Sequence, residues 1–280
     1  DSLLDDILYF YDEPLADSSI FPTFLLMQEV SDNFKVALGG DGGDELFAGY
    51  NWYDTYMLFK RFNRFSPFFS VAGDVLEAVN DRLNSSSLQS AQWRAELAGL
   101  EGMEQYLSSM KFSISDGELE MILNGQLADR TDEEPIAQYA TDFETVKDLQ
   151  CFDMRTFLPS ILMKVDRASM GNSLEVRVPF LDREVAEYSL SLSDEIHYGS
   201  GEKKHLLKRV ARNHLPAEIV DRPKSGFGAP LATLSFFEQK AELLADSKAA
   251  ADGIFDQAGL DQYLDQDPRD HNLFKLIMFE

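Results

Sequence analysis

Seven consecutive residues, Gly39-Gly40-Asp41-Gly42-Gly43-Asp44-Glu45, combine backbone freedom with carboxylate charge. Glycines let a chain turn tightly and bring its backbone close to a ligand. Two or three carboxylates on such a loop would repel a bare phosphate. They become useful when Mg2+ sits between, because Mg2+ takes one or two carboxylates together with phosphate oxygens. Asp41, Asp44 and Glu45 therefore point to a magnesium nucleotide rather than a free anion. The run is not a Walker loop, since no Gly-Lys-Ser/Thr follows, and it lacks the Asp-x-Asp-x-Asp-Gly spacing of an EF-hand. A plain glycine-rich turn, with Asp44 or Glu45 capping the next helix, is the competing reading, and composition alone leaves both open.

Two more groups of charges call for an explanation. Lys164-Val165-Asp166-Arg167-Ala168-Ser169-Met170, followed by Glu175, Arg177 and Asp182, sets alternating charges in an otherwise apolar stretch. Buried charges persist only when paired. Glu175 and Arg177 share a face of a short strand and are expected to pair with each other or with Arg167, as a structural network. Arg167 is open to that role or to a substrate contact. The other group is Lys203, Lys204, Lys208, Arg209, Arg212, Arg222 and Lys224, set against only Glu218 and Asp221. Lys and Arg recognise polyanions, although the helical members are expected to be solvated surface. Lys224 differs, because the tight loop Pro223-Lys224-Ser225-Gly226-Phe227-Gly228 would hold one ammonium against a ligand.

Other chemistries find little support. The single cysteine, Cys151, excludes a disulfide within the chain and has no histidine nearby to act as a base, so it is expected to be a buried spectator. The four histidines form no HxH, HExxH or Cys/His cluster, and no zinc site is expected. The net charge of −24 argues against nucleic acid and anionic membranes as partners. No apolar window reaches the ~18 residues of a membrane span. A cytoplasmic location is expected.

The elements that must position these residues follow from periodicity. Residues 3–11 read as a helix with a broad apolar face, ended by Asp12-Glu13-Pro14, and 22–32 as a second helix opened by Pro22. Residues 34–38 read as a buried strand stopping at glycines, and Glu45 to Phe62 as the helix that follows. That order is a piece of an α/β unit, whose ligands bind beyond the carboxyl ends of the strands. Residues 63–150 read as helical, broken at Ser85-Ser86-Ser87 and at an acidic loop, Asp129–Pro135, with Trp93, Leu97, Leu100, Met103, Tyr106 and Leu107 as a core-facing stripe. A helix over 152–169, a short strand over 175–180, a helix over 203–214, a loop over 221–230 and a helical tail from Ser235 complete the chain. A nucleotide-binding sheet needs several parallel strands. Only two short ones are visible, so the rest is expected upstream of Asp1, and the absence of an initiator Met is read as a chain cut from a longer protein.

Four segments together resemble the synthetase domain of the glutamine-hydrolysing asparagine synthetases. They are residues 12–19 (DEPLADSS), residues 38–50 (LGGDGGDELFAGY), Asp166-Arg167-Ala168-Ser169-Met170 running to residues 175–182 (EVRVPFLD), and Leu215-Pro216 running to residues 222–227 (RPKSGF). The resemblance implies one synthetase-type domain over residues 1–280, of the adenine nucleotide alpha hydrolase-like (PP-loop ATP pyrophosphatase) α/β fold, truncated here and mostly helical. It implies ATP and Mg2+ as cofactors, and aspartate as the carboxylate that attacks the α-phosphate to give β-aspartyl-AMP. Ammonia from an upstream glutaminase domain of the same polypeptide would then displace AMP. By position, Asp44 would hold Mg2+, and Asp41 would match an acidic residue of the same loop. Gly39, Gly40 and Gly42 would approach the nucleotide, and Lys224 would steady charge on the α-phosphate. Arg167 would be a weaker substrate contact.

Gly40 stands where the family usually has Ser, and Ala48 where it usually has Gly. The family's Ser-Gly-Gly-x-Asp-Ser pyrophosphate loop is absent from residues 1–280, as is the glutaminase cysteine, so these residues alone are expected to bind ATP poorly and to catalyse nothing. Sibling enzymes that adenylate another carboxylate, such as β-lactam synthetases, and a degenerate non-catalytic relative remain the alternatives. The oligomeric state is open, a homodimer being one candidate.

Overall fold

The computed structural model describes residues 2–83, 86–110, 114, 116–125, 136–139, 142–198, 202–223, 225–234, 237, 240–245, 247–266, 268 and 270–279. Its first half carries α1 (Ser2–Tyr11), α2 (Ile20–Ser31), β1 (Val36–Leu38), α3 (Gly43–Leu46), α4 (Asn51–Lys60), α5 (Ser66–Leu83), α6 (Ser86–Gly99), α7 (Gly102–Ser109) and α8 (Asp116–Ile122). Its second half carries α9 (Val146–Thr156), α10 (Leu158–Gly171), β2 (Glu175–Arg177), α11 (Arg183–Ser191), α12 (Asp194–Tyr198), α13 (His205–Ala211) and α14 (Ala217–Val220), then α15 (Lys240–Ala245), α16 (Lys248–Ala251), α17 (Gln257–Asp265) and α18 (Asp270–Phe279).

β1 and β2 run parallel, with Val36, Ala37 and Leu38 opposite Glu175, Val176 and Arg177. The chain is thus mostly helical around a small parallel sheet, which is compatible with an α/β class. Parallel strands joined across so long a stretch bring their carboxyl ends to one edge. Gly39 extends the ladder by donating its N–H to Arg177 O at 2.8 Å. The glycine-rich loop therefore starts at that edge.

Apolar side chains separate into two cores. Ile7, Tyr11, Ile20, Phe21 and Phe24 of the first two helices pack with Tyr263, Leu273 and Phe274 from the last two. Tyr53 and Tyr56 of α4, Tyr106 of α7 and Leu149 and Phe152 of α9 form the other. Within the expected stripe, Leu97 and Tyr106 are buried and Trp93, Leu100, Met103 and Leu107 half-buried. The acidic loop at 129–135 lies outside the described residues.

Several sequence expectations need correction. The first strand is not buried: Val36 is 45% and Leu38 75% exposed, because one of its faces has no covering layer among the described residues. The helix expected from Glu45 to Phe62 is two. It breaks at Ala48, whose φ of 50° is left-handed, in a turn closed by Gly49 N–H donating to Asp44 O at 2.8 Å. The helix expected over 152–169 is also two, α9 and α10, because Pro159 occupies the first turn of α10, where a missing N–H costs nothing. The second helix begins before Pro22, at Ile20. The basic helix begins at His205, after a left-handed Lys204 with φ 54°.

Candidate functional site

The edge formed by β1 and β2 opens into a cleft of ≈ 440 Å³. Gly39, Gly40 and Asp41 form one wall, and Ser19, Thr23 and Met27 of the α2 segment form another. Lys164 and Val165 of α10, Val176 of β2 and Phe227 from the loop after Arg222 complete it. Among the described residues its lining is largely apolar, and the charged members are Asp41 and Lys164.

Each polar group is placed by a local device. A β-carbon on Gly39 would come within 2.8 Å of Asp41 Oδ2 and 3.1 Å of Val176 Cγ1, so only glycine lets Asp41 fold back over the strand end. Burial pushes the Asp41 carboxyl above its ordinary value, and a hydrogen bond from its own backbone N–H and then the charge of Lys164 draw it partly back. Gly42 sits at φ 83° against Leu181, whose Cγ would lie 2.7 Å from a β-carbon there. Both the backbone and the neighbour demand glycine. Gly40 has open space around its α-carbon, so the serine usual in the family would fit.

Lys164 donates to Asp17 Oδ2 at 2.7 Å and to Ser19 Oγ at 2.6 Å. Burial pushes the Asp17 carboxyl up, but the Lys164 ammonium and the hydrogen bonds from Lys164 and Ser19 outweigh it and hold the group below its ordinary value. Tyr11, buried in the first core, donates its hydroxyl to Lys164 O at 2.9 Å and ties α1 to the same point. Lys164 stands in the charged stretch of the sequence, three residues before Arg167. Asp17 and Ser19 fell inside a family segment with no role assigned. The signal was available: a lysine within an apolar helix face needs a partner.

Asp44 takes a different direction from Asp41. Its Oδ2 lies 3.1 Å from Lys204 Nζ, and it is not among the cleft's lining residues. Glu45 is buried, and burial raises its carboxyl although Tyr50 donates to it at 2.6 Å. Beneath the loop, Gln150 Nε2 donates to Glu45 O at 2.6 Å and Ser189 Oγ donates to Leu46 O. His197 Nε2 lies 3.0 Å from that same Ser189 Oγ, and burial lowers the affinity of the ring for a second proton. Its Nδ1 lies 3.4 Å from Gln150 Oε1, so both ring nitrogens face this polar scaffold. Asp153 accepts from Tyr106 at 2.8 Å, Tyr53 at 2.9 Å and Trp52 at 3.2 Å, and burial pushes it up to about 6. The glycine-rich loop thus rests on a packed polar scaffold.

The remaining site expectations fall as follows. Lys224 lies outside the described residues. Its neighbours reach the cleft: Phe227 lines it, and Ala229 N–H donates to Ser18 O at 3.4 Å. Arg167 is half-buried on α10 and is not among the described lining residues. Arg177 pairs with Glu175 at 2.9 Å, and Asp182 caps α11 through Glu184 N–H, so both are structural. The basic segment is partly paired: Glu202 meets His205, Lys208 and Arg212, Arg212 also meets Asp221, Lys203 meets Asp54, and Lys204 meets Asp44. Cys151 is half-buried, with its thiol pushed up by burial.

For Mg2+, the donor set at the cleft is one carboxylate, Asp41, with Asp44 turned to Lys204. One carboxylate plus phosphate oxygens and water is within the ordinary range for this ion. No group of three or more His, Cys, Asp and Glu side chains able to hold a metal occurs among the described residues. No helix among them is long and apolar enough to cross a membrane.

A cleft at the carboxyl edge of parallel strands, beside a glycine- and carboxylate-rich loop, lies where open α/β sheets hold their ligands. The asparagine synthase family model matches residues 1–280, and the chain belongs to that family. It is 29% identical over 232 residues to asparagine synthetase [glutamine-hydrolyzing] 1 of Bacillus subtilis, covering 81% of this chain and 36% of that protein. It is 31% identical over 233 residues to a putative asparagine synthetase [glutamine-hydrolyzing] of Mycobacterium bovis, covering 81% and 35%. An asparagine synthetase [glutamine-hydrolyzing] of Mesocricetus auratus is 39% identical over 85 residues, 29% of this chain and 14% of that protein. The chain therefore spans about a third of the length of the curated bacterial relatives it matches.

Proposed function

We propose that this chain supplies one side of the site at which an asparagine synthetase adenylates the side-chain carboxylate of aspartate, within an adenine nucleotide alpha hydrolase-like domain. The observation that carries the reading is the cleft itself, with Asp41 and Lys164 on its walls at the carboxyl edge of β1 and β2. In the reaction a carboxylate oxygen attacks the α-phosphorus of ATP and the bond to pyrophosphate breaks. Ammonia then attacks the acyl carbon and AMP leaves. The ammonia comes from a glutaminase domain of the same polypeptide.

The described residues contribute positioning and electrostatics, which dominate phosphoryl and adenylyl transfer. Gly39 and Gly40 leave room for the nucleotide to approach the backbone. Mg2+, when bound, would neutralise phosphate charge, with Asp41 as its carboxylate at the cleft and Asp44 as a second if it leaves Lys204. Lys224 would steady the charge that develops on the α-phosphate. Its support is the position of its loop, which reaches the cleft through Phe227.

The test is aspartate-dependent exchange of labelled pyrophosphate into ATP, with the full-length protein and its Lys224→Ala variant. Exchange that needs aspartate and disappears in the variant is the expected result. Exchange with a different carboxylic acid would retain adenylation and reject aspartate. Silence with every acid would overturn the reading.

A further inference from the structure

Lys164 is a cation on the cleft wall with no step of the adenylation assigned to it. Only 12% of its side chain reaches solvent, yet it lines the cleft. An ammonium has three donors. Two are taken by Asp17 and Ser19, at 2.7 and 2.6 Å, which leaves one for a ligand. Its charge is felt by Asp41, on the glycine-rich wall of the same cleft. The surroundings are apolar, with Met27, Ala37, Val165 and Val176 nearby in the lining, and apolar walls strengthen a charge–charge contact by lowering the local dielectric. A stability role alone explains this arrangement poorly, because an ion pair with one partner 44% exposed stabilises a fold little.

We propose that Lys164 binds an anionic oxygen of the molecule in the cleft, phosphate or carboxylate, and that Asp17 and Ser19 position its ammonium for that contact. The inference rests on the cleft being the place where ATP and a carboxylate meet. Tyr11 fixes the backbone from which the side chain rises, and the Asp17 carboxylate holds the ammonium in place. Loss of the ammonium would leave the carboxylates of Asp17 and Asp41 without its opposing charge as an anion enters.

The experiment is calorimetric binding of ATP with Mg2+, and separately of aspartate, to the full-length protein and its Lys164→Met, Lys164→Arg and Asp17→Asn variants. Thermal melting and far-ultraviolet circular dichroism check each fold first. Lys164→Met is expected to weaken one ligand tenfold or more: ATP if the partner is a phosphate oxygen, aspartate if it is the carboxylate. Lys164→Arg and Asp17→Asn are expected to weaken the same ligand by less. A folded Lys164→Met protein that binds both ligands within twofold of the parent overturns the inference. If that variant does not fold, unchanged affinities in both Lys164→Arg and Asp17→Asn overturn it. Pyrophosphate exchange by the parent separates the two claims. Exchange with unaltered binding in the variants rejects Lys164 alone, whereas a parent that binds neither ligand rejects the adenylation reading and this inference with it.

Discussion

Lys204 Nζ lies 3.1 Å from Asp44 Oδ2, and the two meet only because residue 49 is glycine. A β-carbon there would overlap both the Asp44 carboxylate and the Lys204 side chain. The lysine is brought over the turn by its own left-handed backbone and by its N–H, which donates to Phe47 O at 3.1 Å. The carboxylate with the best family claim to a metal thus has an internal cation against it.

Magnesium would have to take Asp44 from that lysine. Lys204→Met is therefore expected to tighten Mg2+ binding to the full-length protein by up to about fivefold, the factor matching the upper end of the ~0.2–1 kcal/mol of a partly exposed pair. Asp44→Asn is expected to weaken it. Titration with Mg2+ at constant ionic strength measures both. Affinities unchanged in both variants would remove Asp44 from the metal site.

The glycines of the loop are not equivalent. Gly42→Ala forces a methyl into Leu181 at a φ of 83°, and Gly49→Ala breaks the Asp44–Lys204 contact. Each is expected to lower stability by about 1–3 kcal/mol. Gly40→Ser meets open space and is expected to stay within about 0.5 kcal/mol of the parent. Urea denaturation of the three variants checks the order. A Gly40→Ser protein as unstable as Gly42→Ala would contradict the geometry of the loop.

Asp153 gives a pH dependence with a definite sign. An ordinary aspartate ionises near 3.8, and burial pushes this one up to about 6. Between those values the unfolded chain releases a proton that the folded chain keeps. This residue's contribution is therefore most favourable below about pH 4, falls as pH rises to about 6, and is level above. The fall is about 3 kcal/mol, from ~1.4 kcal/mol for each pKa unit. Asp41 and Glu45, also raised, act in the same sense, whereas Asp17 and Glu202, lowered, act in the opposite one. Comparing denaturation midpoints of the parent and Asp153→Asn from pH 4 to 7 isolates the term. The difference between them should change across that window, and a constant difference would show that Asp153 keeps an ordinary pKa in the fold.

Local pattern was enough for much of this architecture. The helix at Ser2–Tyr11, the strand that stops at Gly39 and the glycine- and carboxylate-rich loop were all legible, because periodicity and glycine content are properties of neighbouring residues. Breaks inside apparently continuous helices were harder. Ala48 turns left-handed under contacts that its own side chain does not announce, and Pro159 fits either the interior of one kinked helix or the first turn of a new one.

The sequence by itself determined the kinds of chemistry available: carboxylates on a flexible loop at a strand end, a basic segment in an acidic chain, and the family to which those motifs point. Tertiary structure decided which charges meet. Lys164 finds Asp17 across 147 positions because α10 packs on α2, and Asp44 finds Lys204 because the turn at Gly49 is bare. It also turned Asp41 toward the cleft and left Asp44 outside it, three residues apart on one loop. Partners for a charge are chosen by distance in space and by burial, and neither is encoded in the spacing of residues along the chain.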